Sequence, residues 1–313
     1  MRFIGSPSQI INTEEMLKRQ EASQQSLAAG GLPLNAIDRL KDQAGRQGKP
    51  GHIFTGDLSI NELVTIGNAG FEPLGQVMGS SIYHVGWQYM PTYTWTSGEL
   101  TVLTEAFYNA RHLALSRIQQ EAALLGATHV VGVRLEFRQY DWGVGLLEFA
   151  AIGTALRLKG FSPTGNCPPA LSAMSGEQFW LLHQFGYQPV GVAVGNCTWY
   201  QAAGWGTMMA TGGSMWGSSW QNQEITDYTR AVYQARALAS YRMEMEGRSA
   251  GAEGIVGVVI QVNYERREVE SNMGRREDLI VHFTAIGTAI APLGGGTHPL
   301  AIGNSVSLRD PND

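Results

Sequence analysis

Histidines, cysteines and paired carboxylates are where a soft-metal or nucleophilic site would have to begin. The chain holds seven histidines and two cysteines, Cys167 and Cys197, with no CxxC spacing. Neither a zinc ribbon nor a disulfide framework is encoded, and two free thiols fit a reducing compartment. There is no GxSxG elbow, no HExxH and no Walker sequence. The run GWGTMMATGGSMWG lacks the Gly-Lys-Ser/Thr that a phosphate loop requires. No catalytic residue and no organic cofactor is expected, a metal ion being the one candidate ligand of this kind.

These residues have to be placed by elements, and the elements occur twice. GFEPLGQVMG at Gly70 to Gly79 matches GYQPVGVAVG at Gly186 to Gly195, 116 positions later. TEAFYNARHLALSRIQQEAALLGATHVVGV matches TRAVYQARALASYRMEMEGRSAGAEGIVGV at an offset of 125, and EFAAIGTAL matches HFTAIGTAI at 134. Constant order with lengthening connections is the mark of a duplicated unit.

In each copy the first block reads as a glycine-bounded strand. The second opens with an amphipathic helix whose stripe is Phe107, Ala110, Ala114, Ile118, Ala122 and Leu125, or Val232, Ala235, Ala239, Met243, Gly247 and Ala250. Gly126 and Gly251 stand where a left-handed C-cap is needed. Two further strands follow. Small stripe residues, together with strand glycines 75, 132 and 153 (191, 257 and 287 in the second copy), predict close approach of helix and sheet. The fold class is α/β, a two-layer α+β arrangement of tandem β-α-β-β modules. Residues 1–50 are expected to be a solvated helical arm, 51–160 the first module, 161–174 a Pro-rich linker, 175–292 the second module and 293–313 a flexible tail.

A duplicated unit tests its own site residues, because a site inherent to the module should recur. His84 aligns with Tyr200, His112 with Ala237, His129 with Gly254 and Cys197 with Ser81, so ligands are lost between copies. Glu148 and His282 occupy equivalent third-strand positions and are the weak metal candidates, read first as ordinary polar strand residues. Arg117 and Glu121 recur as Arg242 and Glu246 and are read as structural ion pairs at one helical turn, locking helix to sheet or subunit to subunit. Most tryptophans fall in two loops before the helices. Trp87, Trp95, Trp205, Met208, Met209, Trp216 and Trp220 are the expected partner or ligand surface. The charged run ERREVESNMGRRED reads as a solvated hairpin.

Small three-stranded sheets leave edges to cover, which points to self-assembly, and several chains could close a ring. The four ordered motifs over residues 70–159 and 186–291 resemble the YbjQ-like family, which carries a heavy-metal-binding label. That resemblance implies a dodecin-subunit-like fold and a pentameric ring. With 43% hydrophobic and 16% charged residues and a net charge of -5, the chain has the material for cores but not the footprint of a nucleic-acid binder. It is expected to be cytoplasmic, since neither a secretory leader nor a membrane span is encoded. The function expected is a non-enzymatic, ring-forming scaffold or binding module whose partner is itself and a further protein or small molecule. Metal binding at subunit interfaces and membrane association through the Trp/Met loops are the alternatives.

Overall fold

A computed structural model describes residues 7–47, 49, 53–84, 96–139, 146–160, 168–211, 222–271 and 274–294. Two helices lead the chain, α1 (Pro7–Ala28) and α2 (Leu34–Arg46). The first module follows as α3 (Ile60–Asn68), β1 (Phe71–His84), β2 (Gly98–Glu99), α4 (Thr101–Leu124), β3 (His129–Gln139) and β4 (Leu146–Leu158). After β5 (Ala170–Leu171) comes the second: α5 (Gly176–Gln184), β6 (Tyr187–Gln201), α6 (Trp205–Thr211), α7 (Thr226–Ser249), β7 (Gly254–Ser271) and β8 (Gly274–Pro292).

Both sheets put the last strand in the middle. Their orders are β1-β4-β3-β5 and β2-β6-β8-β7, antiparallel except for the β3–β5 pairing. Each stripe packs its small residues on the sheet, with Ala110, Ala114, Ile118 and Ala122 fully buried on α4 and Ala235 and Ala239 on α7. Val232 is half-buried and Ala250 exposed, so the second stripe is narrower than expected. Gly126 and Gly251 take φ of 75° and 74°, and the residue after each donates back into the last turn, Ala127 to the Ala122 carbonyl and Ala252 to that of Gly247.

The close approach falls partly on other glycines. A Cβ on Gly79 would lie 2.0 Å from the Ala114 carbonyl oxygen, and one on Gly195 1.7 Å from that of Ala239. Gly153 and Gly287 are crowded by β3 and β7 side chains, as expected. Gly132 and Gly257 instead sit in matching bulges at φ of 64° and 63°, and Gly191 meets nothing.

Three helices were not anticipated, one of them α6, which takes the place of the loop expected around Trp205, Met208 and Met209. α3 and α5 each precede a first strand and begin with a capping box, Ser59 with Glu62 and Ser175 with Gln178. The arm is helical but not simply solvated, since Leu32 and Leu40 are buried with the first core. Nor is the Pro-rich linker loose throughout: Gly132 and Val133 donate to the Met174 and Ser172 carbonyls, sealing the outer edge of β3. The equivalent edge on β7 carries Val258, Val259, Ile260 and Tyr264, all exposed.

Candidate functional site

The two modules meet at a buried junction that holds Thr104, Arg111, Asn196 and Thr198. α4 packs on β1 and β4 of its own sheet and also reaches β6 of the other. The first core takes in Val194 and Ile286, on the sheet face opposite α7. Arg111 crosses this junction almost fully buried. It donates to Asn196 Oδ1 at 2.8 Å, lies 3.6 Å from the Glu246 carboxylate, and stacks its guanidinium 4.7 Å above the Tyr108 ring. Burial lowers its pKa, with Glu246 opposing that shift. Its Nε has no hydrogen-bond partner among the described residues. An orphaned buried donor is costly, so the surrounding contacts must fix the geometry.

They do so through the edge of β6. Thr104 accepts from the Thr198 amide on its Oγ1 and from Asn196 Nδ2 on its carbonyl, both at 3.0 Å. Leu100 donates to the Thr198 carbonyl at 2.8 Å, and Gly98 and Glu99 pair with Tyr200 and Trp199. A strand from the first module therefore closes an edge of the second.

The recurrent ion pairs are not bridges along one helix, which corrects the one-turn reading. Glu121 accepts the Met78 amide at 2.9 Å and meets Arg39 of α2 at 3.2 Å. Glu246 accepts the Val194 amide at 2.9 Å and meets Arg111. Arg117 donates to the carbonyls of Ser80, Gly31 and Leu27. Arg242 donates to the Asn196 carbonyl and, at 2.5 and 2.8 Å, to both oxygens of Glu99. The cause is the glycine contact: the helix lies so close to the strand edge that the unpaired strand amide and carbonyl outcompete an exposed i,i+4 partner. Burial raises the Glu121 pKa despite its two partners. Burial works the same way on Glu99, but hydrogen bonds from Arg242 and Thr104 win and hold it low.

Donors for a metal are committed elsewhere. His282 lies 3.2 Å from Thr198 Oγ1 and 3.8 Å from Glu265, and stacks on Phe107 at 5.2 Å across the junction. Glu148 accepts from Ser80 Oγ. Burial, with Glu99 alongside, pushes the Cys197 thiol up to about 12, far from a thiolate ligand. Among the described residues no three His, Cys, Asp or Glu side chains converge to hold a metal ion. Among the described residues, the donors present do not assemble a heavy-metal centre.

Trp87, Trp95, Trp216 and Trp220 lie outside the described residues. Trp205 and Met209 on α6 are exposed and Met208 is half-buried, the helix being tied down by Thr207 Oγ1 and the Gly204 amide on Asp227. The charged hairpin is only partly solvated. Arg276 and Asp278 are fully buried with Tyr200, whose hydroxyl donates to Asp278, and Asp278 also accepts the Ala203 amide at 2.9 Å. Alternation would have placed both on one strand face, but nothing in the charges themselves distinguishes a buried pair.

The fold and this junction define a two-layer α/β protein that docks one sheet-and-helix module on another. A family model, YbjQ_1, described as "Putative heavy-metal-binding", matches residues 71–159. The encapsulin nanocompartment protein Rv1762c of Mycobacterium tuberculosis is 38% identical over 247 residues, covering 78% of this chain and 87% of that protein. A UPF0145 protein of Natronomonas pharaonis is 44% identical over 64 residues (20% of this chain, 60% of that one) and one of Thermotoga maritima 35% over 91 (28% and 84%). The chain belongs to the family of the mycobacterial nanocompartment protein and carries a YbjQ-like domain at residues 71–159. No solved structure matches it.

Proposed function

We propose that the chain is a non-enzymatic assembly module, built from a duplicated YbjQ-like unit and serving as a cytoplasmic scaffold component of a protein compartment. The observation that carries this reading is the run of exposed apolar side chains on β7, Val258, Val259, Ile260 and Tyr264, on a strand whose outer edge pairs with no other strand among the described residues, whereas that of β3 pairs with β5. An edge of that composition is a template for pairing with another chain. Kinship with a protein named for a nanocompartment supports the same reading. A pentameric ring of tandem modules remains the expected closed form, with the aromatic loops as a further contact surface. No helix among the described residues is long and apolar enough to cross a membrane.

Native mass spectrometry of untagged protein tests this directly. A closed assembly of several chains without added mass is the expected result. A monomer at every concentration overturns the assembly reading, and an assembly that retains stoichiometric metal replaces the scaffold function with metal binding at subunit interfaces.

A further inference from the structure

One docking contact between modules is already present inside the chain, and both of its halves exist in a second, unused copy. The docking half in the first module is Glu99, Thr104 and Arg111. Their equivalents 125 positions on are Glu224, Thr229 and Arg236, on a helix whose start has the same backbone, Leu100 at φ −86°, ψ 78° and Ile225 at φ −87°, ψ 86°. Arg111 is 1% exposed in its junction, whereas Glu224 and Arg236 lie in solvent.

The receiving half in the second module is the β6 face bearing Val194 and Thr198, flanked by Arg242 and Glu246. Its equivalents on the first module are Met78, Ile82, Arg117 and Glu121. Val194 and Thr198 are 1% and 2% exposed under α4, while Met78 and Ile82 are 49% and 62% exposed. Two unsatisfied apolar side chains thus occupy the place where the first module's helix sits on the second.

The ionic anchors of this open face are held by the chain's own arm. Arg39 of α2 takes Glu121, as Arg111 takes Glu246. The carbonyls of Leu27 and Gly31, at the negative end of α1, take Arg117, as Glu99 takes Arg242. The arm supplies the charges of a docked module without covering Met78 and Ile82.

We infer that the internal junction repeats between chains: the amino-terminal half of α7 in one copy docks on the β1 face of a second copy, in competition with the α1–α2 arm for Glu121 and Arg117. Charge complementarity, Arg236 toward Glu121 and Glu224 toward Arg117, selects a second copy of this chain as the occupant. The contact is heterologous, so it propagates head to tail until it closes. This inference rests on the assembly reading above and adds to the β7 edge a second contact surface between chains.

Ile82→Glu and Arg236→Glu, both at exposed positions, separate the two. Each should weaken self-association by at least about tenfold in sedimentation velocity. Mixed in equal amounts, they should form a one-to-one heterodimer through this junction, because one chain keeps an intact docking face and the other an intact receiving face. That recovery also reports that both variants are folded. Arg39→Glu, which sets a like charge beside Glu121, should strengthen association of the otherwise unchanged chain. If both single variants assemble as the unaltered protein does, or if their mixture stays monomeric while the unaltered protein assembles, this junction is wrong and the assembly reading stands. If no form associates, Arg39→Glu included, the assembly reading falls with it.

Discussion

Glycine at two positions decides how close each helix comes to its strand. Gly79 and Gly195 lie directly beneath main-chain carbonyls of α4 and α7, and no rotamer adjustment relieves a contact between a Cβ and backbone. Gly79→Ala should therefore cost about 3 kcal/mol or more, because helix and sheet must separate and the Glu121 and Arg117 contacts to the strand edge lengthen with them. Gly191→Ala is the matched control: it sits one bulge away in β6, its φ lies outside the left-handed range, and a Cβ there meets nothing. That change should be neutral or stabilise by a few tenths of a kcal/mol, through the unfolded chain. Urea denaturation of the two variants checks both expectations, and equal losses would show that the short contacts do not set the helix height.

At the scale of elements, the short helix α5 is held on the first sheet by aromatic edges. Phe179 packs against Phe71 at 5.0 Å, and His129 of β3 meets both rings, with His183 of α5 against Phe71. Burial, reinforced by His183, drives the His129 pKa from 6.5 down to about 4. The folded state then binds fewer protons than the unfolded one between those values. The stability involved is fully present above about pH 6.5 and is lost as pH falls toward 4, on the order of 3 kcal/mol. His129→Phe should flatten that part of the stability curve, and an unchanged slope would place the titration elsewhere. These same elements mark what the sequence conceals. The helices α4 and α7, their glycine caps and the long strands are legible from periodicity and from the matching sequence blocks. α3 and α5 are short, and only their capping boxes announce them. The partners of Arg117 and Glu121 depend on backbone groups freed by a strand edge, which no spacing of side chains encodes. Arg276 and Asp278 look like any solvated pair until the fold places Tyr200 over them.

For the whole molecule, the question is whether the two modules unfold as one. The second stands on its own stripe, Ala231, Ala235, Ala239 and Met243 with Phe283 and Ala285. The opposite face of its sheet gives Val194 and Ile286 to the first core, where they join Phe107 and Ala114. Phe107 in turn meets Phe137 and Phe149 of its own sheet and the His282 ring of the other. A shared core of this kind makes unfolding cooperative across the junction, so calorimetry should give a single transition. Ile286→Glu places a charge in that core, against a helix whose Arg111 already has two nitrogens without a hydrogen bond among the described residues, while leaving the α7 side of the sheet intact. The modules should then separate thermally: the first, which has lost part of its cover, melts earlier, and the second keeps the stability of its own helix-on-sheet core. Two resolved transitions in the variant, against one in the unaltered chain, would locate the coupling at this junction. One transition lowered in Tm without splitting would mean instead that neither module is stable alone, and that the junction belongs to the fold as much as to assembly.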